Sequence, residues 1–257
     1  MIIILNSSKT MDFETPAPIS KHSAPLFSDD SNSLVKTLSR LSLAQFSKLM
    51  GVSEKLAKLN VNRYKNWQTS PSGSVAKQSL LAFKGDIYAA IDVENYGMQE
   101  FNFAQKHLRI LSGLYGILRP LDLIQPYRLE MATKLPNKRG KGLYAFWGNR
   151  ITEALDAALK REKSGILINL ASVEYFKSIK ANLLNATVIT PVFKECRDSS
   201  YRVVAIYAKK ARGLMCDYII RNHLTETRDL KSFDLEGYRY NKELSSEVEW
   251  VFARGEK

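Results

Sequence analysis

Met1-Ile-Ile-Ile-Leu5 opens the chain with an unbroken apolar run, too short for a membrane span or a signal-peptide core and without a basic leader. It reads as a buried first strand over 2–6. Further strand-like runs, bounded by Gly, Asn, Pro or charged turns, fall at 80–88, 165–170, 186–193, 201–207 and 248–253. Helical spacing fills the intervals at 31–49, 53–66, 101–118, 152–161 and 209–222. Phe101, Ala104, Leu108 and Leu111 give the third of these a regular apolar face. Strands and helices interleave with no repeat and no low-complexity linker. The expectation is therefore mixed α/β: a single domain over residues 1–257, built around a mixed sheet. The Pro- and Ser-containing stretches 15–30 and 68–74 are expected to be flexible.

Charge narrows the partner. The net charge is +12, and it is concentrated. Residues 34–65 carry seven Lys or Arg against one acid, residues 107–141 seven against two, and residues 175–221 nine against three. Such blocks suggest one electropositive surface for an acidic partner. Two cysteines (Cys196, Cys216) and three scattered histidines (His22, His107, His223) give no disulfide framework and no metal-ligand spacing. A reduced, cytoplasmic protein without cofactor, metal or membrane partner is expected.

Residues 43–65 read LAQFSKLMGVSEKLAKLNVNRYK, the pattern of a helix-hairpin-helix within about 34–66. Gly51 suits the tight turn, Ser53 suits the cap of a second helix, and the free N–H groups there make an anion site. Lys55 and Lys58 flank that site, with Arg63 further along. A plain helical hairpin packed into a core fits the same pattern, since DNA-binding hairpins usually have a second turn glycine where this chain has Ser53. The charge blocks favour the nucleic-acid reading.

Five other segments carry chemistry-bearing side chains. Asn6-Ser-Ser-Lys-Thr10 leaves the first strand, and Lys9 fits either a cleft lysine or a solvated turn. Phe83-Lys-Gly-Asp-Ile-Tyr88 places Lys84 and Asp86 together, as an acid–base pair or a salt-bridged strand end. In residues 107–131, Arg109, Arg119 and Arg128 are candidates for phosphate contacts, with Glu130 as a possible acid–base partner. In Asn169-Leu-Ala-Ser-Val-Glu-Tyr-Phe-Lys177, Ser172 caps a helix, and Glu174 serves either a cleft or that cap. Lys177 and Lys180 follow on the next turn. In Tyr207-Ala-Lys-Lys-Ala-Arg-Gly-Leu-Met215, Lys209, Lys210 and Arg212 crowd a helix start, which the macrodipole disfavours without a nearby anion.

The strings FKGDIY (83–88), LRILSGLYGILRPLDLIQPYRLEM (108–131), INLASVEYFKSI (168–179) and YAKKARGLM (207–215), with the turn at 7–10, resemble the YaaA family of bacterial peroxide-stress proteins along the whole chain. Family members typically have Pro-Ala between the serine and lysine of the first motif; here Ser8 stands alone and Lys9-Thr10 is kept. The resemblance implies a compact mixed α/β fold with a helix-hairpin-helix and a positive cleft that binds DNA. It also implies a role in limiting oxidative damage, linked to lower free intracellular iron. The expected partner is double-stranded DNA, distorted or damaged duplex included, held through its backbone with little sequence specificity. The alternative is a repair-type enzyme, glycosylase/lyase-like, with Lys9 as amine nucleophile and Asp86, Glu130 or Glu174 as acid–base partners. Hairpin-bearing glycosylases place an aspartate soon after the hairpin, whereas no acid lies between Glu54 and Asp86.

Overall fold

The computed structural model describes residues 1–71, 75–198 and 200–255. Eight strands form one sheet: β1 (Ile2–Asn6), β2 (Leu108–Ser112), β3 (Gly116–Leu118), β4 (Ile166–Asn169), β5 (Thr187–Arg197), β6 (Ser200–Arg202), β7 (Arg239–Tyr240) and β8 (Glu249–Arg254). Their spatial order is β7-β8-β5-β4-β1-β2-β3, with β6 paired to β5 outside that row. The strands from β8 to β2 run parallel. β3, β6 and β7 are antiparallel to their partners. The fold is thus mixed α/β. Ile2 to Leu5 are fully buried, as a strand at the centre of a sheet covered on both faces requires.

Topology also creates a crevice. The chain leaves β1 for β2 on one side and leaves β4 for β5 on the other. Neighbouring parallel strands whose connections depart in opposite directions leave a gap at their carboxyl ends. Here Asn6 Oδ1 accepts the Ser172 N–H at 2.9 Å, tying the two loops that border it.

The helices are α1 (Ser28–Leu38), α2 (Leu43–Met50), α3 (Glu54–Lys65), α4 (Ser79–Ala82), α5 (Met98–His107), α6 (Leu143–Trp147), α7 (Arg150–Glu162), α8 (Val173–Phe176) and α9 (Ala205–Arg221). Between α2 and α3, Gly51 adopts φ 60°, which favours glycine. Ser53 Oγ accepts the Leu56 N–H and caps α3. Phe46 packs on Tyr64 with ring centroids 5.9 Å apart. The Tyr64 hydroxyl donates to the Arg128 carbonyl at 2.7 Å, pinning this hairpin to the segment that carries Glu130.

Several sequence expectations are corrected. The helix expected over 101–118 stops at His107, and Leu108–Ser112 is the buried strand β2. Leu108 and Leu111 satisfied helical spacing because β2 is buried on both faces, so period carried no information there. The helix expected over 31–49 is two helices, because Ser42 and Gln45 form a capping box that starts α2 afresh. The strand expected over 80–88 is α4 followed by a short strand, Phe83–Lys84, pairing with Thr10–Met11. The strand expected over 201–207 ends at Arg202, and α9 begins at Ala205. Residues 72–74 of the stretch expected to be flexible lie outside the described residues.

Candidate functional site

A cleft of about 450 Å³ opens at the β1/β4 crevice. Five separate stretches line it: residues 6–10 after β1, residues 85–88, Glu130, Ser172, Glu174 and Tyr175 at the start of α8, and Lys209 with Arg212 on α9. Two glycines bring these stretches together. A Cβ on Gly213 would stand 2.0 Å from the Ile87 carbonyl oxygen, so only glycine lets α9 rest directly on that turn. A Cβ on Gly113 would stand 2.2 Å from the Leu129 carbonyl oxygen, and that approach seats the strap bearing Glu130.

Charge in the cleft is mixed. Lys9 Nζ lies 3.3 Å from Glu130, which also receives Arg128 at 3.0 Å. Lys209 faces Asp86 at 3.4 Å. Glu174 Oε1 accepts the Ala132 N–H at 3.0 Å. Arg212 alone has neither ion pair nor hydrogen bond among the described residues, and burial lowers its guanidinium pKa. Arg128 Nε is buried and unsatisfied beside this group. Thus Lys9, Lys209, Arg212 and the neighbouring Arg128 meet three carboxylates, and one guanidinium remains free to take an outside anion.

Neutral hydroxyls line the inner wall. Ser7 Oγ donates to the Tyr175 hydroxyl at 3.3 Å, and the Tyr88 hydroxyl donates to the Asn6 carbonyl at 3.0 Å. Tyr127 lies deeper, 2.7 Å from Ser112 Oγ. Burial pushes the Tyr127 phenol up to about 12, against the pull of its Ser112 and Ser7 hydrogen bonds. Burial likewise raises Tyr88 and Tyr175. These phenols line the wall as neutral hydrogen-bonding groups. The sequence motifs contain Ser7, Tyr88 and Tyr175, but none of the three stood among the residues expected at the site.

The remaining sequence candidates are dispersed. Lys84 turns away from Asp86 to meet Asp12 and Glu94, each at 3.9 Å, so the expected Lys84–Asp86 pair does not form. Asp12 is held well below the usual carboxylate range, mainly by the Thr15 backbone N–H. Lys210 pairs with Glu236. Lys177 lies over the Tyr144 ring at 5.4 Å. Lys180 is exposed, and its backbone N–H donates to Thr152. Half-buried Arg63 donates to Asn60. Arg109 and Arg119 share a different cavity, beside α7. Lys209 and Lys210 stand in the second turn of α9, not its first, so the macrodipole argument made from sequence does not apply to them.

The hairpin turn sits on the surface, with Gly51, Ser53, Lys55 and Lys58 exposed. The backbone N–H groups of Glu54 and Lys55 have no partner among the described residues. A chain of contacts joins this turn to the cleft rim. Thr133 Oγ1 donates to Met50 Sδ at 3.9 Å, and the preceding Ala132 binds Glu174. Among the described residues, no group of His, Cys, Asp or Glu is placed to hold a metal ion. None of the described helices is long and apolar enough to cross a membrane.

Residues 1–244 match the family described as peroxide stress protein YaaA. A UPF0246 protein of Saccharophagus degradans is 50% identical over 254 residues, covering 99% of each chain. A UPF0246 protein of Teredinibacter turnerae is 48% identical over 254 residues with the same coverage.

Proposed function

Given that the chain belongs to the peroxide stress protein YaaA family, we propose that it is a DNA-binding protein of the peroxide response. It holds double-stranded DNA through backbone contacts with little sequence specificity, and so limits oxidative damage. The observation that carries this reading is the convergence of cations from distant segments on one cleft, beside an exposed helical hairpin whose free N–H groups suit a phosphate. The link to lower free iron rests on the family alone.

Size and charge refine the reading. A cleft of about 450 Å³ is far too small for a duplex, which is some 20 Å across, but it has room for one nucleotide. Its mixed charge fits that guest: Arg212 takes a phosphate, while Asp86 and Glu130 face the donor groups of a base edge. Distorted or damaged duplex, which yields a nucleotide at lower cost, is therefore the preferred ligand. Charge reversal at Lys55 and Lys58 tests the hairpin half of the proposal. Binding of unrelated duplexes, followed by fluorescence anisotropy, should weaken by roughly tenfold for all sequences alike. Loss confined to one sequence, or no loss, contradicts it.

The grouping of Lys9, Asp86, Glu130 and Glu174 in one cleft also supports a second reading, a glycosylase/lyase-like enzyme with Lys9 as amine nucleophile. Lys9 is exposed and its ammonium is paired with Glu130, the opposite of the desolvated setting that frees an amine to attack. Borohydride treatment on abasic duplex separates the two readings. The binding reading expects no trapped complex, and a stable adduct lost in Lys9→Ala would establish the enzyme.

A further inference from the structure

Between β3 and α7, at the outer edge of the sheet, lies a second groove of about 490 Å³. Its walls are mostly hydrocarbon. α7 offers the small side chains of Ala154, Ala157 and Ala158, and β3 offers Ile117 and Leu118. Leu26 stands at the rim with 63% of its surface exposed and extends the apolar wall outward.

Three guanidiniums enter this hydrocarbon setting. Arg109 is only 9% exposed. One of its nitrogens, Nη1, donates to the carbonyls of Gln105, Lys106 and Leu108 at 3.2, 3.1 and 2.8 Å. Its Nε and Nη2 make no hydrogen bond among the described residues. Arg161, at the last turn of α7, has no ion pair or hydrogen bond there either. Arg119 is engaged with Asp122.

Asp122 is the one carboxylate among the lining residues, and it is already used. It accepts from Ser23 Oγ at 2.6 Å and from Arg119 N, Nε and Nη2 at 2.8, 3.2 and 3.0 Å. Arg109 is thus recessed in hydrocarbon with two of its nitrogens unused, and the exposed Arg161 adds a second unpaired cation at the mouth of the groove. Burial, with the neighbouring Arg119 adding to it, pushes the Arg109 guanidinium down to about 10, while Asp122 and Glu162 pull the other way.

We propose that this groove binds a small amphipathic anion: a monocarboxylate with a compact apolar body, its head on Arg109 and Arg161 and its body against the alanines of α7. Shape and charge select this occupant. A nucleic-acid strand would gain nothing from the hydrocarbon walls, and a flat protein surface could not reach Arg109 in its recess. The volume lies within the range of small-ligand sites, and a guanidinium fork matches a carboxylate. The site is independent of the DNA cleft and stands or falls apart from it.

Isothermal titration of the full chain with octanoate, octanol and acetate tests the proposal. Octanoate should bind saturably at one site, with octanol and acetate each at least roughly tenfold weaker, since each lacks half of the recognition. Arg161→Ala removes an exposed, unpartnered side chain and should leave the melting temperature unchanged while weakening octanoate by roughly tenfold. Ala158→Phe, which fills the groove, should abolish binding, and duplex DNA should not displace octanoate from the parent protein. Absent octanoate binding overturns the proposal. So does octanol binding as tightly as octanoate, or octanoate affinity unmoved by Arg161→Ala.

Discussion

The cleft at the β1/β4 crevice and the groove beneath α7 both hold several cations in similar volumes, yet their chemistry diverges. In the cleft each lysine meets a carboxylate, the walls carry hydroxyls, and Arg212 alone is unpaired. In the groove the walls are hydrocarbon, and the lone carboxylate is consumed by Arg119 and Ser23. A cation count alone would treat the two as one electropositive surface. What separates them is what surrounds each charge: mixed polar walls suit a nucleotide, and hydrocarbon walls around a recessed Arg109, with Arg161 at the mouth, suit a small organic anion.

The strongest way to break this contrast is at Gly213. A methyl there meets the Ile87 carbonyl, so Gly213→Ala should cost about 2–4 kcal/mol and lower the melting temperature by roughly 5–10 °C. Below that temperature DNA affinity should fall while octanoate binding in the groove persists. Equal loss at both sites would show that the two regions are not separately built. Next in size, reversing Lys9 and Lys209 together to Glu should weaken duplex binding by roughly tenfold or more in an anisotropy titration, with no change in octanoate affinity.

Removing acids should act in the opposite sense. Asp86→Asn with Glu130→Gln frees Lys209 and Lys9 from their partners and should tighten binding of intact duplex, whose bases stay stacked outside the cleft, a few-fold, on the order of 0.5–1 kcal/mol. A catalytic cleft would instead lose turnover. Asp12 should give an effect of similar size, on stability alone. Its carboxyl pKa is depressed on folding below the ordinary 3.8, so it stabilises the fold above that value, and the stabilisation is lost as pH falls through the folded pKa. Asp12→Ala should therefore cost about 1 kcal/mol by denaturant unfolding at pH 7, with the difference shrinking below pH about 4.

Much of the architecture is legible in the sequence, and the limits are physical. β1 and β4 stand out because uniformly apolar short runs bounded by polar turns have few other folds. The hairpin turn stands out because Gly51 and Ser53 are local devices. β2 does not, because a strand buried on both faces shows no period, and its leucines happened to continue the face of α5. That one hidden strand also misplaced Arg109: read as part of a helix, it joined the phosphate candidates, whereas the sheet carries it under α7. The Lys84–Asp86 pairing failed for a similar reason. Gly85 at φ 102° swings the two side chains apart, and Asp12, remote in sequence, becomes the partner of Lys84. Which segments meet in the cleft depends on crossovers of more than a hundred residues, such as β1 to β2, which no local pattern encodes.

The central claim is that duplex DNA is held by phosphate contacts at the cleft and hairpin together. Its most direct test is the affinity for two unrelated duplexes as a function of salt concentration. Log K should fall linearly with log salt, with a slope of about −0.9 for each phosphate neutralised and the same line for both sequences. The slope should become shallower when Lys55, Lys58, Lys9 and Lys209 are reversed. Affinity that ignores salt, or that differs by orders of magnitude between the two sequences, contradicts it.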